Sequence, residues 1–398
     1  MSEQGYKDFV KRLTDVCEKY SDKTAITYMR NDGSKTLFTF GEIFKQIKAA
    51  KEKFEKIGLQ KGDRVAIIAP LSPFSVFTLF SLAYANITAV LIDASLPPQE
   101  IDRLLTYSDV RSVFTVPAIF EALDETVCND IPVFDLTKED GEYQLFPNAP
   151  DKVSRPPTTD PGMDVFVMIF SSGTTSEMKG IMHTYTAILS GLELNWKIAD
   201  VSHESMYLHI LPISHLAGLD CILTFFFCGS NIGMVEEMTA AKLPTSLTNY
   251  KPTHFVVVPR VFEVIEQKIR QEVRSKGALV SGVFSLLLGV SHFFRKKLGL
   301  NVGKVLCKSI RKKVFGENIF AIGAGGAIAK GSMVSFFLDL GVKIWADFYA
   351  LSETGVPTVA TGVFDRYPAG TQGNVNRFDG IKIKIHAPDE SGIGEVRI

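Results

Sequence analysis

Apolar residues at Phe9, Leu13, Val16, Cys17 and Tyr20 recur at helical spacing and predict an amphipathic helix over residues 6–20. The period then drops to two. Residues 24–29 and 37–40 flank Asn31-Asp32-Gly33-Ser34, whose turn chemistry predicts a β-hairpin. A second helix is expected over 42–57, stopped by Gly58. Beyond it, short β-rich runs at 64–69, 89–92, 112–116, 165–170, 207–211, 254–258 and 343–348 alternate with helical stretches. Such alternation implies parallel sheets with helices on their faces, and so many strands imply more than one sheet. In the tail, residues 381–385 alternate strictly, a turn follows at 389–394, and 395–398 reads as a return strand. The expected fold is α/β: two stacked, mostly parallel, helix-covered sheets (αβαβα) with a small antiparallel β-barrel-like subdomain. A Pro-, Asp-, Ser- and Thr-rich stretch at 148–161 divides a first lobe (1–160) from a second (161–365), with 366–398 as the β subdomain.

Composition adds exclusions. With 46% hydrophobic and 22% charged residues, the 398-residue chain lies outside the disordered and collagen-like classes. Forty-three Lys and Arg against 44 Asp and Glu leave a net charge of -1, so no global field draws in nucleic acid. The five cysteines (Cys17, Cys128, Cys221, Cys228, Cys307) show no CxxC pair or metal-ligand spacing and read as reduced thiols. The N-terminus has no apolar signal segment, and no uninterrupted apolar run reaches about 18 residues. A soluble, cytoplasmic protein without a spanning helix is expected. The most apolar stretch, 278–297, is flanked by Lys276 and by Arg295, Lys296 and Lys297. It reads either as an interfacial element peripheral to a membrane or as a packed helical hairpin. Gly282, Gly289 and the serines weaken an anchor and favour the hairpin.

Four segments carry candidate chemistry. Residues 170–180 run Phe-Ser-Ser-Gly-Thr-Thr-Ser-Glu-Met-Lys-Gly, an apolar strand end followed by a hydroxyl- and Gly-rich loop with one lysine and an expected helix. Such a loop aims backbone N–H groups and hydroxyls at a polyphosphate while Lys179 neutralises charge. A Walker loop would need Gly at Met178 and Ser or Thr at Gly180. Alone, the segment has a second, less favoured reading as an ordinary polar loop. Residues 323–327, Gly-Ala-Gly-Gly-Ala, are expected to follow a strand at 318–322; they lack the third glycine of the dinucleotide fingerprint, which is Ile328 here. They serve either a tight turn or close backbone approach to a flat ligand. Asp347-Phe-Tyr-Ala-Leu-Ser-Glu353 places an aromatic, a hydroxyl and a carboxylate in one turn, suited to stacking a base and holding Mg2+ through oxygen. Leu211-Pro-Ile-Ser-His215-Leu-Ala-Gly218 adds a lone histidine, which in isolation is more often packed or capping than catalytic.

In this order and spacing the four segments resemble the AMP-forming acyl-adenylate enzymes: acyl-CoA synthetases, luciferases and peptide-synthetase adenylation domains. That family's phosphate loop reads Tyr/Phe-Thr-Ser-Gly-Thr-Thr-Gly-x-Pro-Lys-Gly; here Ser176 replaces a glycine and Met178 the proline. Its Gly-Gly-Ala matches Gly325, Gly326 and Ala327. Its Tyr-Gly-x-Thr-Glu matches 349–353 with Ala350 for Gly and Ser352 for Thr, and its Pro-x-x-His matches Pro212 to His215. Val258-Pro-Arg-Val-Phe-Glu263, followed by a basic helical stretch, is similar to the long-chain fatty acyl-CoA ligase branch.

The resemblance implies that ATP and a carboxylic acid form an acyl-adenylate and pyrophosphate, and that CoA then displaces AMP. Carried over by motif, Ser171, Ser172, Gly173, Thr174, Thr175 and Ser176 with Lys179 would cradle the β- and γ-phosphates, and Thr174 and Glu353 would hold Mg2+. Gly325, Gly326 and Ala327 would line the adenine and acyl pocket. Asp347, Phe348, Tyr349, Ala350 and Leu351 would complete the nucleotide wall, Ser352 would meet the α-phosphate region and His215 the carboxylate. His215, Lys179 and Glu353 are the expected catalytic set. The family's TGD-type aspartate, hinge and lysine-bearing C-terminal domain have no counterpart before Ile398, so the large N-terminal domain alone is expected, binding ligands but turning over poorly. Two alternatives stand beside this reading: a non-catalytic nucleotide or acyl-ligand sensor, and an adenylating enzyme for an aryl or other acid loaded on a carrier protein.

Overall fold

The computed structural model describes residues 3–124, 130–137, 143–147, 149–153, 164–171, 178–239, 241–325, 329–348, 352–354 and 384–397. Their strands form two seven-stranded mixed sheets and a small antiparallel pair. By internal contacts the chain divides into one unit of Met1–Leu192, Ser202–Glu204 and His209–Glu237, and a second of Glu193–Val201, Ser205–Leu208 and Met238–Ile398.

The first unit opens with the helix Gln4–Lys19, whose Phe9, Leu13, Val16 and Cys17 are buried as their spacing predicts. Phe9 lies among Phe166, Tyr185 and Phe227, with ring centroids 5.0–5.2 Å away. The hairpin follows: β1 (Thr24–Met29) pairs antiparallel with β2 (Lys35–Thr39), and Gly33 takes the positive φ of +85° that its turn needs. Thr39 and Glu42 form a reciprocal capping box that starts the helix Phe40–Lys56.

Then come β3 (Arg64–Ile68), β4 (Thr88–Leu91), β5 (Ser112–Thr115), β6 (Val133–Asp135), β7 (Gln144–Leu145), β8 (Val165–Ser171) and β9 (Lys179–Thr184). They order as β7-β6-β5-β3-β4-β8-β9, parallel from β6 to β8 and antiparallel at both edges. The central strands are buried along nearly their whole length, as parallel strands covered on both faces are. In sequence the Pro-rich stretch at 148–161 falls between β7 and β8, two strands of this sheet. The same unit carries β11 (Asn231–Val235), parallel to β1.

In the second unit, β12 (His254–Val257) is flanked by β10 (Met206–Leu208) and β13 (Ala321–Gly325), and β14 (Lys343–Phe348) extends the ladder, all parallel. The helices Pro259–Ser275, Ala278–Leu298 and Gly331–Asp339 pack on one another. Phe337 stands 4.9 Å from Phe262 and 5.2 Å from Phe336, ring to ring. The tail strands β15 (Lys384–His386) and β16 (Glu395–Arg397) pair antiparallel.

Three local expectations are corrected. Residues 179–184 form a strand, because they hydrogen-bond to the β8 edge; the helix begins later, at Tyr185, where Thr184 Oγ1 accepts the Ala187 N–H at 3.2 Å. Gly323–Gly325 lie inside β13, not after it. Residues 278–298 form one continuous helix, not a hairpin, and by length and composition it could cross a membrane.

Candidate functional site

The phosphate-type loop joins two paired strand ends. Ser171, the last residue of β8, stands opposite Lys179, the first of β9. Ser172–Ser176 lie outside the described residues, but both flanks are fixed: Phe170 and Met178 pack against the core cluster that includes Met168, Leu104 and Val113. Met178, where the motif has proline, is thus an apolar anchor. The fit at Gly180 is tight: a Cβ there would come within 3.1 Å of Met168 Sδ and of the Tyr107 ring. Lys179 itself is exposed.

Asp93 follows β4 by two residues, just as Ser171 follows Ile169, and Leu91 pairs with Ile169. The two polar groups therefore leave neighbouring parallel strands at the same, carboxyl end. His215 joins them: its Nε2 lies 3.4 Å from Asp93 Oδ2. The other Asp93 oxygen accepts from Ser95 N at 2.8 Å and Ser95 Oγ at 2.7 Å, which fixes the carboxylate. The His215 side chain is 61% exposed, at the N-terminal end of the helix Leu216–Phe227. Its turn requires Gly218, whose added Cβ would sit 2.0 Å from the Pro212 carbonyl oxygen. Sequence patterning gave no hint of Asp93, because an Asp after a buried strand reads as ordinary turn chemistry.

Two further ionisable groups nearby in sequence are buried. Burial pushes the His209 imidazole down to about 3, so it stays neutral. Burial lifts the Asp220 carboxyl to about 8, and its Oδ1 has no hydrogen-bond partner among the described residues.

In the second unit the candidate residues again sit at the carboxyl ends of parallel strands. Gly325 closes β13, and Asp347 and Phe348 close β14. The register slips there: Ala324 pairs with Ala346 but Gly325 with Phe348, so Asp347 occupies a bulge. Ser352 is half-buried and Glu353 exposed on a short 3-10 turn, Ser352–Thr354. Val258, 44% exposed, leaves β12 beside them, since Val257 pairs with Ala324. Gly326, Ala327, Tyr349, Ala350 and Leu351 lie outside the described residues. Among the described residues no group of three His, Cys, Asp or Glu side chains is placed to hold a metal.

Residues 13–396 match the family model of the AMP-binding enzymes. The chain belongs to that family. Among its curated AMP-binding relatives, the long-chain-fatty-acid–CoA ligase heimdall of Drosophila melanogaster is 23% identical over 96% of this chain and 61% of its own length. A crotonobetaine/carnitine–CoA ligase from Salmonella paratyphi A is 27% identical over 63% of this chain and 51% of the relative. The chain thus spans about half to three-fifths of these relatives. The fold is that of the AMP-binding N-terminal domain: it matches the N-terminal domain of FACL13 from Mycobacterium tuberculosis with a TM-score of 0.68, at 17% identity over 97% of this chain and 87% of that one. A long-chain-fatty-acid–CoA ligase from Archaeoglobus fulgidus gives 0.69, at 17% identity over 97% of this chain and 73% of the other.

Proposed function

We propose that this chain binds ATP and a carboxylic acid, most suitably a fatty acid, and joins them as an acyl-adenylate. The carboxylate oxygen attacks the α-phosphorus, the bond to the β-phosphate oxygen breaks, and pyrophosphate leaves. In the whole protein the CoA thiol then attacks the acyl carbonyl, its proton is lost, and AMP departs. The observation that carries this reading is that all four motif segments leave the carboxyl ends of parallel strands (β8, β10, β13 and β14), where ligands of α/β sheets bind.

In this reading Lys179, with Ser171 through Ser176, holds the β- and γ-phosphates. Gly325, Gly326 and Ala327 line the adenine and acyl pocket, and Asp347 through Leu351 with Ser352 face the nucleotide. His215, steadied by Asp93, stands by the incoming carboxylate. Glu353 with Thr174 offers the hard oxygen ligands Mg2+ takes. The acid is already a nucleophile, so these groups work by alignment and charge neutralisation rather than as bases. The fatty-acid assignment is supported by the Val258–Glu263 segment with its basic helical continuation and by the names of the fly and archaeal relatives.

Calorimetric titration with non-hydrolysable acyl-adenylate mimics of increasing chain length tests it. Affinity should rise about fourfold per added methylene until the pocket is full, from roughly 0.8 kcal/mol per buried CH2. Equal affinity for short and long chains, or preference for a benzoyl mimic, would replace the fatty acid by another acid. No binding of any mimic would remove the adenylation reading itself.

A further inference from the structure

The helix Ala278–Leu298 has one face explained by packing and one that is not. The inner face buries Phe284, Ser291 and Arg295. Arg295 Nε donates to Asp339 Oδ1 at 2.8 Å, and His292 Nδ1 lies 2.9 Å from Asp339 Oδ2. These bonds fasten the helix to the end of Gly331–Asp339. The outer face repeats Leu279, Val283, Leu286, Val290 and Phe293 at intervals of four and three, which is one stripe on an α-helix. Leu279 is 84% exposed, Leu286 67% and Phe293 56%. A Cβ built on Gly282 or Gly289 meets no atom within 4 Å, so no described residue covers this side.

Charge distinguishes the occupant. Between Val273 and Gly316 the sequence holds ten lysines and arginines and no aspartate or glutamate, in a chain of net charge -1. Some of that charge is answered locally: Lys276 and Lys313 meet Glu272, and Lys312 meets Glu317. Lys296, Lys297 and Lys304 are exposed at the end of the apolar stripe.

We infer that this helix docks on an anionic lipid surface, lying in the interface with its Leu279–Phe293 stripe among the acyl chains and its lysines against headgroup phosphates. The inference goes beyond the adenylation reading and does not depend on it. At about 1.5 Å per residue the helix matches the hydrocarbon thickness of a bilayer. Spanning it would nevertheless carry the Arg295–Asp339 pair and the attached helices into hydrocarbon, so the helix lies flat. A second copy of the chain suits the apolar stripe less well, because it would bring two basic segments face to face.

Flotation of the full 398-residue chain with vesicles of phosphatidylcholine alone, or mixed with phosphatidylglycerol, decides the matter. Binding is expected to the mixed vesicles only, and to fall as salt is added. Lys296→Gln with Lys297→Gln should weaken it by more than about tenfold, and Leu286→Glu should abolish it. Both changes are on exposed positions; unchanged thermal melts, and Phe293→Ser as a milder second variant, separate lost docking from lost folding. Equal binding to both vesicle types, full binding by folded Leu286→Glu, or a lipid-indifferent dimer that Leu286→Glu dissociates would each overturn the inference.

Discussion

Asp220 is 4% exposed, and burial lifts its carboxyl from the ordinary aspartate value of 3.8 to about 8. As pH rises from about 4 to about 8, the unfolded chain gives up this proton and the folded chain keeps it, so stability falls across that window and levels off above it. Asp220→Asn should flatten this slope and raise stability at neutral pH; urea denaturation at several pH values measures both. An unchanged slope would mean the folded carboxyl is ionised. Lys179 makes the opposite kind of test, being exposed and outside the core. Lys179→Ala should weaken ATP binding by about tenfold or more, the worth of a hydrogen bond to a charged group, while leaving AMP binding and the melting temperature unchanged. Comparative titration with ATP and AMP reads it.

The elements differ in how far their own residues determine them. Gln4–Lys19 and the β1–β2 hairpin were legible because period and turn residues are local properties. Lys179–Thr184 was not: its strand state depends on hydrogen bonds to β8 across the loop, which no short window contains. Ala278–Leu298 misled for another reason. Gly282 and Gly289 weighed against an anchor and so for a hairpin, yet an interior glycine costs only about 1 kcal/mol, and a long apolar run with a buried ion pair outweighs it. That pair gives the element its own prediction. Arg295→Met takes the guanidinium away from buried Asp339, leaving it the half-exposed His292, and should cost about 3 kcal/mol, whereas Arg295→Met with Asp339→Leu should recover most of the loss. Chemical denaturation of the three proteins checks it. A double variant no better than the single would show that packing, not charge, sets the cost.

Across the whole molecule, the sequence revealed the α/β class and the order of the motif segments but not which residues they meet. The Asp93–His215 contact joins residues 122 positions apart and arises because the fold returns the chain to the carboxyl end of β4. The same sheet clamps both flanks of the 172–177 segment, through Phe170 and Met178 in the core and the Ser171–Lys179 pair in the ladder. Ser176→Gly, which restores the glycine the family motif has there, should tighten ATP binding by a few-fold and leave the melting temperature where it was. Calorimetry beside a thermal melt tests both halves; a shift in the melt would show the flanks to be less independent than drawn. Because the strands on either side of this stretch are fixed by their own packing and pairing, nucleotide handling and durability in this protein are open to selection as separate traits.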